Sequence, residues 1–131
     1  MTPALEPQVK FDAHKFAHSP QTIVGFVKQL TAEPAIERRE APRYSVTLPA
    51  TAVALDERLR PIGPQFSVVV RNISARGISL LHSSPVHAEH IAVELATPAG
   101  HKIQVAMEVS RCHQMGPCYE IAGPFVHRTV N

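Results

Sequence analysis

Tryptophan is absent, cysteine occurs twice, and aromatic residues make up only 5% of the 131-residue chain. Without aromatic faces there is no platform on which single-stranded nucleic acid could stack its bases. Two cysteines cannot build a disulfide framework, and the expected setting is a reducing cytoplasm. Charge of one sign is scarce as well, 13 Lys and Arg against 11 Asp and Glu for a net +2. A general nucleic-acid binder needs a far more basic face, so no polymeric nucleic acid is expected as a partner. No hydrophobic run approaches the roughly 18 residues that span a bilayer, so membrane insertion is not expected. The opening "MTPALEPQVKFDAHKF" also lacks the apolar core and cleavage site of a signal peptide. Any anion site on such a chain must be local.

What is present describes one ordinary globular domain, with 44% hydrophobic and 18% charged residues and room for a short extra segment. The first helix signal is "SPQTIVGFVKQLTAEP", with Ser19 as N-cap and Pro20 at the first helical position. Ile23, Val27 and Leu30 follow at helical spacing with Val24 alongside, and Pro34 ends the segment. A helix this short is marginal alone. Its apolar stripe should dock, either on the same chain or as a homodimer contact through this helix.

Residues 31–42, "TAEPAIERREAP", read as a linker, and the apolar period then changes to two. "RYSVTLPATAVAL" puts Tyr44, Val46 and Leu48 on one face, "QFSVVVRN" puts Phe66, Val68 and Val70 together, and "HKIQVAMEVSR" alternates Ile103, Val105, Met107 and Val109. "GISLLHS", "HIAVELAT" and "CYEIAGPFV" supply further strands, with turns expected at "RPIGPQ", "SSPV", "TPAGHK" and "CHQMGPC". The expectation is an all-β fold, a six-stranded antiparallel barrel with a short N-terminal helix. Residues 1–36 would form the N-terminal segment with helix and linker, and 37–131 the barrel domain.

Two short segments carry chemistry. Arg38, Arg39 and Arg43 cluster directly before the first strand, and "NISARG" brings Asn72, Ser74 and Gly77 to a strand junction. Each alone reads as a solvated charge run or a tidy turn. Together they resemble the PilZ domain family, marked by R-x-x-x-R entering the first barrel strand and [D/N]-x-S-x-x-G at a later junction. Here these are "REAPR", Arg39 to Arg43, and Asn72 to Gly77, within a resemblance spanning roughly 37–126. The resemblance implies a six-stranded barrel that binds the bacterial second messenger cyclic di-GMP, as one molecule or as an intercalated pair. It also implies that Arg39 and Arg43 hold phosphate and guanine, with Arg38 as an added contact, and that Asn72 and Ser74 read guanine. Gly77 would keep a side chain out of the ligand's path. Family members often cover one barrel mouth with a C-terminal helix, for which "GPFVHRTVN" leaves no room; the N-terminal helix is the candidate substitute.

The chemistry fits such a ligand. Arginine donates in pairs to phosphate oxygens or to guanine O6 and N7, and an asparagine offers donor and acceptor to a base edge. An arginine linker folding over a rigid barrel costs about 1–2 kcal/mol per ordered residue, which several charge-assisted bonds offset. A downstream protein partner is expected to read that ordering. The alternative is a PilZ-like protein-interaction module that does not bind the nucleotide. His14 and His18 lack the carboxylate of an H-E-x-x-H arrangement, and Cys112, His113 and Cys118 lack a fourth ligand. No metal, cofactor or enzymatic activity is therefore expected.

Overall fold

A computed structural model describes residues 9–16, 20–30 and 44–126. Seven antiparallel strands form one sheet: β1 (Tyr44–Leu55), β2 (Pro61–Ile73), β3 (Gly77–His82), β4 (His90–Ala96), β5 (Lys102–Glu108), β6 (Arg111–Met115) and β7 (Cys118–Pro124), in the order β5-β4-β1-β2-β3-β7-β6. The sheet curls until Val70, Leu80, Val93, Met107, Ile121 and Phe125 share one buried cluster. That apolar face follows the period-two alternation of β4 and β5, where Ile91, Val93, Leu95, Val105 and Met107 are fully buried.

The expected six-stranded barrel is thereby corrected in two respects. There are seven strands, and the ladder does not close. "HKIQVAMEVSR" is two elements rather than one: β5 stops at Glu108, and Arg111 opens β6, a strand laid along β7 from Arg111↔Ala122 to Met115↔Cys118. Gly116 and Pro117 make the two-residue turn between them. Gly116 has φ 58°, the positive value that the first position of a II′ hairpin turn requires. Strand β6 occupies the free edge of β7, and the backbone link to β5 comes from the residues just beyond β7. Met107 and Phe125 form a single bridge, and the Val126 amide donates to the Ala106 carbonyl at 2.8 Å.

The "RPIGPQ" turn is corrected too. The reversal lies earlier, at residues 56–60, where the Asp56 carboxylate accepts from the Arg58 and Arg60 amides at 2.8 and 2.9 Å. Those bonds, the one from the Arg60 backbone foremost, hold the Asp56 carboxyl below the ordinary aspartate range. Pro61 and Pro64 both sit within β2. Pro61 is tolerated as the first residue of the strand, and Pro64 because the β1–β2 register slips between Ala52 and Ala54, leaving Gly63 (φ 75°), Pro64 and Gln65 unpaired in a bulge.

The segment before the sheet is part of the same packing. An α-helix, α1 (Pro20–Leu30), starts at the proline assigned to the first helical position. Ile23 and Phe26 are buried in the main cluster, with Phe26 tilted against the His101 ring at 5.8 Å. Phe26 was not assigned to the apolar stripe; the side chains of Val27 and Leu30, which were, lie outside the described residues, as does Ser19. Upstream, two glutamines grip the chain by its backbone. Gln65 exchanges bonds with the amide and carbonyl of Val9 (3.1 and 2.5 Å), and Gln104 does so with the Asp12 amide and Lys10 carbonyl (3.0 and 2.7 Å). Phe16 is buried beside Val53, Leu55, Leu59, Ala92 and Ala106, a second cluster on the opposite face of the sheet. Residues 9–16 and α1 therefore contact the two faces of one sheet.

Same-chain docking of α1 has a direct consequence. Phe26→Ala should cost about 3–5 kcal/mol, the range for truncating a buried phenylalanine, in urea denaturation. The loss should be independent of protein concentration; a helix that stabilised a homodimer would make it concentration-dependent.

Candidate ligand-binding site

The residues of "RNISARG" are arranged by one irregularity in β2. Val70 pairs with Leu80 and Asn72 with Ser79, so Arg71 is an extra residue with no counterpart on β3. Val70 and Leu80 are fully buried on the core side. In a regular strand Asn72 would point the same way as Val70. The bulge breaks that parity and brings Arg71 and Asn72 together on the outer face. Ile73 then returns to the core at 1% exposure.

Beyond Ile73 the chain turns tightly. The Ser74 amide donates to the Gly77 carbonyl at 2.9 Å, while the Ser74 hydroxyl oxygen accepts from the amides of Arg76 (3.1 Å) and Gly77 (3.2 Å). Ser74 is first a component of the turn. Its own O–H remains a donor, since a hydroxyl can accept two bonds and still donate one. Gly77 serves a close backbone approach. Its φ is not positive; instead a Cβ here would lie 2.6 Å from the Gly123 carbonyl oxygen and 3.2 Å from the Pro124 Cα. The glycine lets β3 and β7 approach. Gly123 is tighter still, because a Cβ there would overlap the Glu108 carbonyl.

This turn borders a cavity of about 430 Å³ on the outer face, lined among others by Asn72, Ser74, Gly77, Ser79, Arg111 and Glu120. The cavity's wall is built on an ion-pair ladder that crosses four strands. Glu120, on β7 and 8% exposed, accepts through Oε2 from Arg71 of β2 (3.0 Å) and the Ser79 hydroxyl of β3 (3.2 Å). Its Oε1 accepts from Arg111 of β6 at 3.0 Å, with His113 Nε2 at 3.8 Å. Arg71 also lies 3.2 Å from the Met115 sulfur. Buried carboxylates persist when paired and hydrogen-bonded in this way.

Of the residues expected to bind a ligand, Asn72, Ser74 and Gly77 come together at this cavity. Arg38, Arg39 and Arg43 lie outside the described residues. The sequence reading missed Arg71, Ser79, Arg111 and Glu120. Arg71 is signalled only by its place directly before Asn72, and in "CYEIAGPFV" nothing sets Glu120 apart from an ordinary outward strand residue. The two cysteines occupy opposite faces: Cys112 pairs with the core residue Ile121 and packs on the core, whereas Cys118 lines a separate outer groove. Among the described residues no group of three or more His, Cys, Asp and Glu could hold a metal ion, and no helix is long and apolar enough to cross a membrane.

The PilZ domain profile matches residues 37–122, a span that contains both arginine and asparagine–serine motifs. No curated protein matches the chain. Among solved structures, the one described as the K. pneumonia MrkH–c-di-GMP complex is similar, with a TM-score of 0.50 at 18% identity over 72% of this chain and 46% of that one. The chain thus spans about half the length of that neighbour, and the likeness is one of fold.

The dual demands on this turn separate by mutation. Ser74→Ala should cost about 1 kcal/mol, as at a lost helix cap, because two amides lose their acceptor; Ser74→Thr should stay near wild type. Gly77→Ala should cost about 1–3 kcal/mol by overpacking. Both are read from urea midpoints without ligand.

Proposed function

Because the chain belongs to the PilZ domain family, we propose that it is a receptor for cyclic di-GMP, with an arginine-bearing linker that closes over ligand resting on the sheet's outer face. The observation that carries this reading is the β1–β2 register. Tyr44 pairs with Ile73 and Ser45 with Asn72, and Arg43 is covalently next to Tyr44. The end of the first motif therefore enters the sheet beside the start of the second. In this reading motifs separated by about thirty positions in sequence meet at that rim.

In this reading Arg39 and Arg43 hold phosphate and guanine and Arg38 adds a contact, since guanidinium forks match both groups. Asn72, whose Oδ1 accepts from the Ser45 hydroxyl at 3.4 Å, has its amide N–H donors and second lone pair left for a base edge. Ser74 contributes the one donor that the turn leaves it. The ligand-binding unit is residues 37–131, and residues 1–36 form the segment whose docking responds. The protein acts by binding and release rather than by turnover, and a downstream protein partner reads the change.

A second reading, a PilZ-like protein-interaction module without nucleotide, is favoured by one observation. An apolar outer groove of about 550 Å³ lies among Pro49, Ala50, Leu81 and Cys118.

Calorimetric titration distinguishes the two. Cyclic di-GMP should bind in the micromolar range or tighter. Arg39→Ala and Arg43→Ala should each weaken it about tenfold or more, the loss of roughly 1–3 kcal/mol per bidentate arginine contact. Absence of heat at high micromolar ligand favours the interaction module.

A further inference from the structure

The ion-pair ladder beside the cavity has no part in the two motifs, and its charges are not evenly spent. Glu120 Oε2 is satisfied from the far side by Arg71, braced in turn on Met115, and by the Ser79 hydroxyl. Arg71 does not line the cavity; Arg111 does. One guanidinium therefore neutralises the carboxylate from behind, and the other faces the cavity, whose lining also includes Arg76. Arg111 uses Nη2 toward Glu120, its side chain is 60% exposed, and a guanidinium carries five N–H donors. A solvated surface arginine would sample many rotamers. This one is fixed at 3.0 Å to a buried oxygen, so it is oriented before any ligand arrives.

We propose that Arg111 is a further phosphate-binding residue of this cavity and that Glu120, backed by Arg71, is the positioning residue that presents it. The proposal rests on the receptor reading above and adds to it a contact from β6, on the side of the cavity opposite the Asn72 turn. A phosphodiester is the partner of choice because an anion needs only a charge and oriented donors, which Arg111 supplies. Reading a guanine edge would further require a coplanar in-register fork. Glu120 does not repel the ligand, since its own charge is already compensated by Arg71.

The test is calorimetry of the full chain with cyclic di-GMP at several salt concentrations. Arg111→Gln should weaken binding tenfold or more and flatten its salt dependence. Arg111→Lys, which keeps the charge but not the fork, should recover most of the affinity, as a phosphate contact allows and a guanine contact does not. Glu120→Gln should weaken binding three- to tenfold in the wild-type background and by less than twofold when Arg111 is already Gln, a coupling that a purely structural role would not produce. Thermal midpoints establish that the variants are folded. If the wild-type chain takes up no cyclic di-GMP, the receptor reading falls and this inference with it. If wild type binds and both Arg111 variants bind within twofold of it, Arg111 has no role and the receptor reading stands. If Arg111→Lys is as weak as Arg111→Gln, the phosphate assignment is overturned.

Discussion

One extra residue in β2 determines what the outer face can do. Period-two geometry allows every second side chain to leave the core, so two consecutive polar residues cannot both face solvent from a regular strand. The bulge at Arg71 removes that restriction. Its two products divide the work: Arg71 reaches across β3 to the buried Glu120, while Asn72 joins the cavity rim. A register without the bulge would place Asn72 beside Val70 in the apolar cluster, leaving a buried amide without water. The bulge thus sets Asn72 beside Arg71, the partner of Glu120, on one face of the sheet.

The second organising constraint is attachment at both ends. Residues 9–16 are held by Gln65 and Gln104 through backbone bonds, α1 buries Ile23 and Phe26, and β1 begins against Ile73. The segment 31–43, which carries the arginines, joins two anchored elements. Its closure on a ligand would be an intramolecular event with a limited search, since loop-closure entropy grows only slowly with length. The apolar side chains of α1 share the core with the strand that carries Asn72, which is the physical link the proposed receptor reading would use.

Much of this arrangement was legible in the sequence, and the failures have physical causes. Alternation found the core faces of β4 and β5 because both strands are regular. Ser19–Pro20 marked the start of α1 and the apolar stripe included the buried Ile23, but the packing residue Phe26, three positions on, was missed. The two motifs located the Asn72–Gly77 turn, but not which strand Gly77 has to approach. The requirement is β3–β7 approach, a long-range contact that no local pattern encodes. Gly63–Pro64 and Gly116–Pro117 are both turn dipeptides by composition. One is a bulge inside a strand and the other a hairpin, and only the pairing partner distinguishes them. Strand β6 was hidden for the same reason. "RCHQM" has no apolar alternation because both its faces are largely exposed, so its identity rests on pairing with β7.

Glu120 shows how an unremarkable letter becomes the centre of a site. On β7 it alternates correctly with Ile121, and nothing in "CYEIAG" separates it from a solvated strand carboxylate. What buries it is the convergence of Arg71, Ser79 and Arg111, which lie 49, 41 and 9 positions away. A carboxylate so enclosed is a poor stabiliser in itself, because desolvation consumes much of what its ion pairs return. Its better physical justification is geometric: it fixes two long cationic side chains that would otherwise be dispersed over rotamers. A mildly basic chain cannot attract a dianion by its overall field. In the proposed reading it does so locally, through one arginine that a compensated carboxylate holds still at the wall of the cavity beside the Asn72 turn.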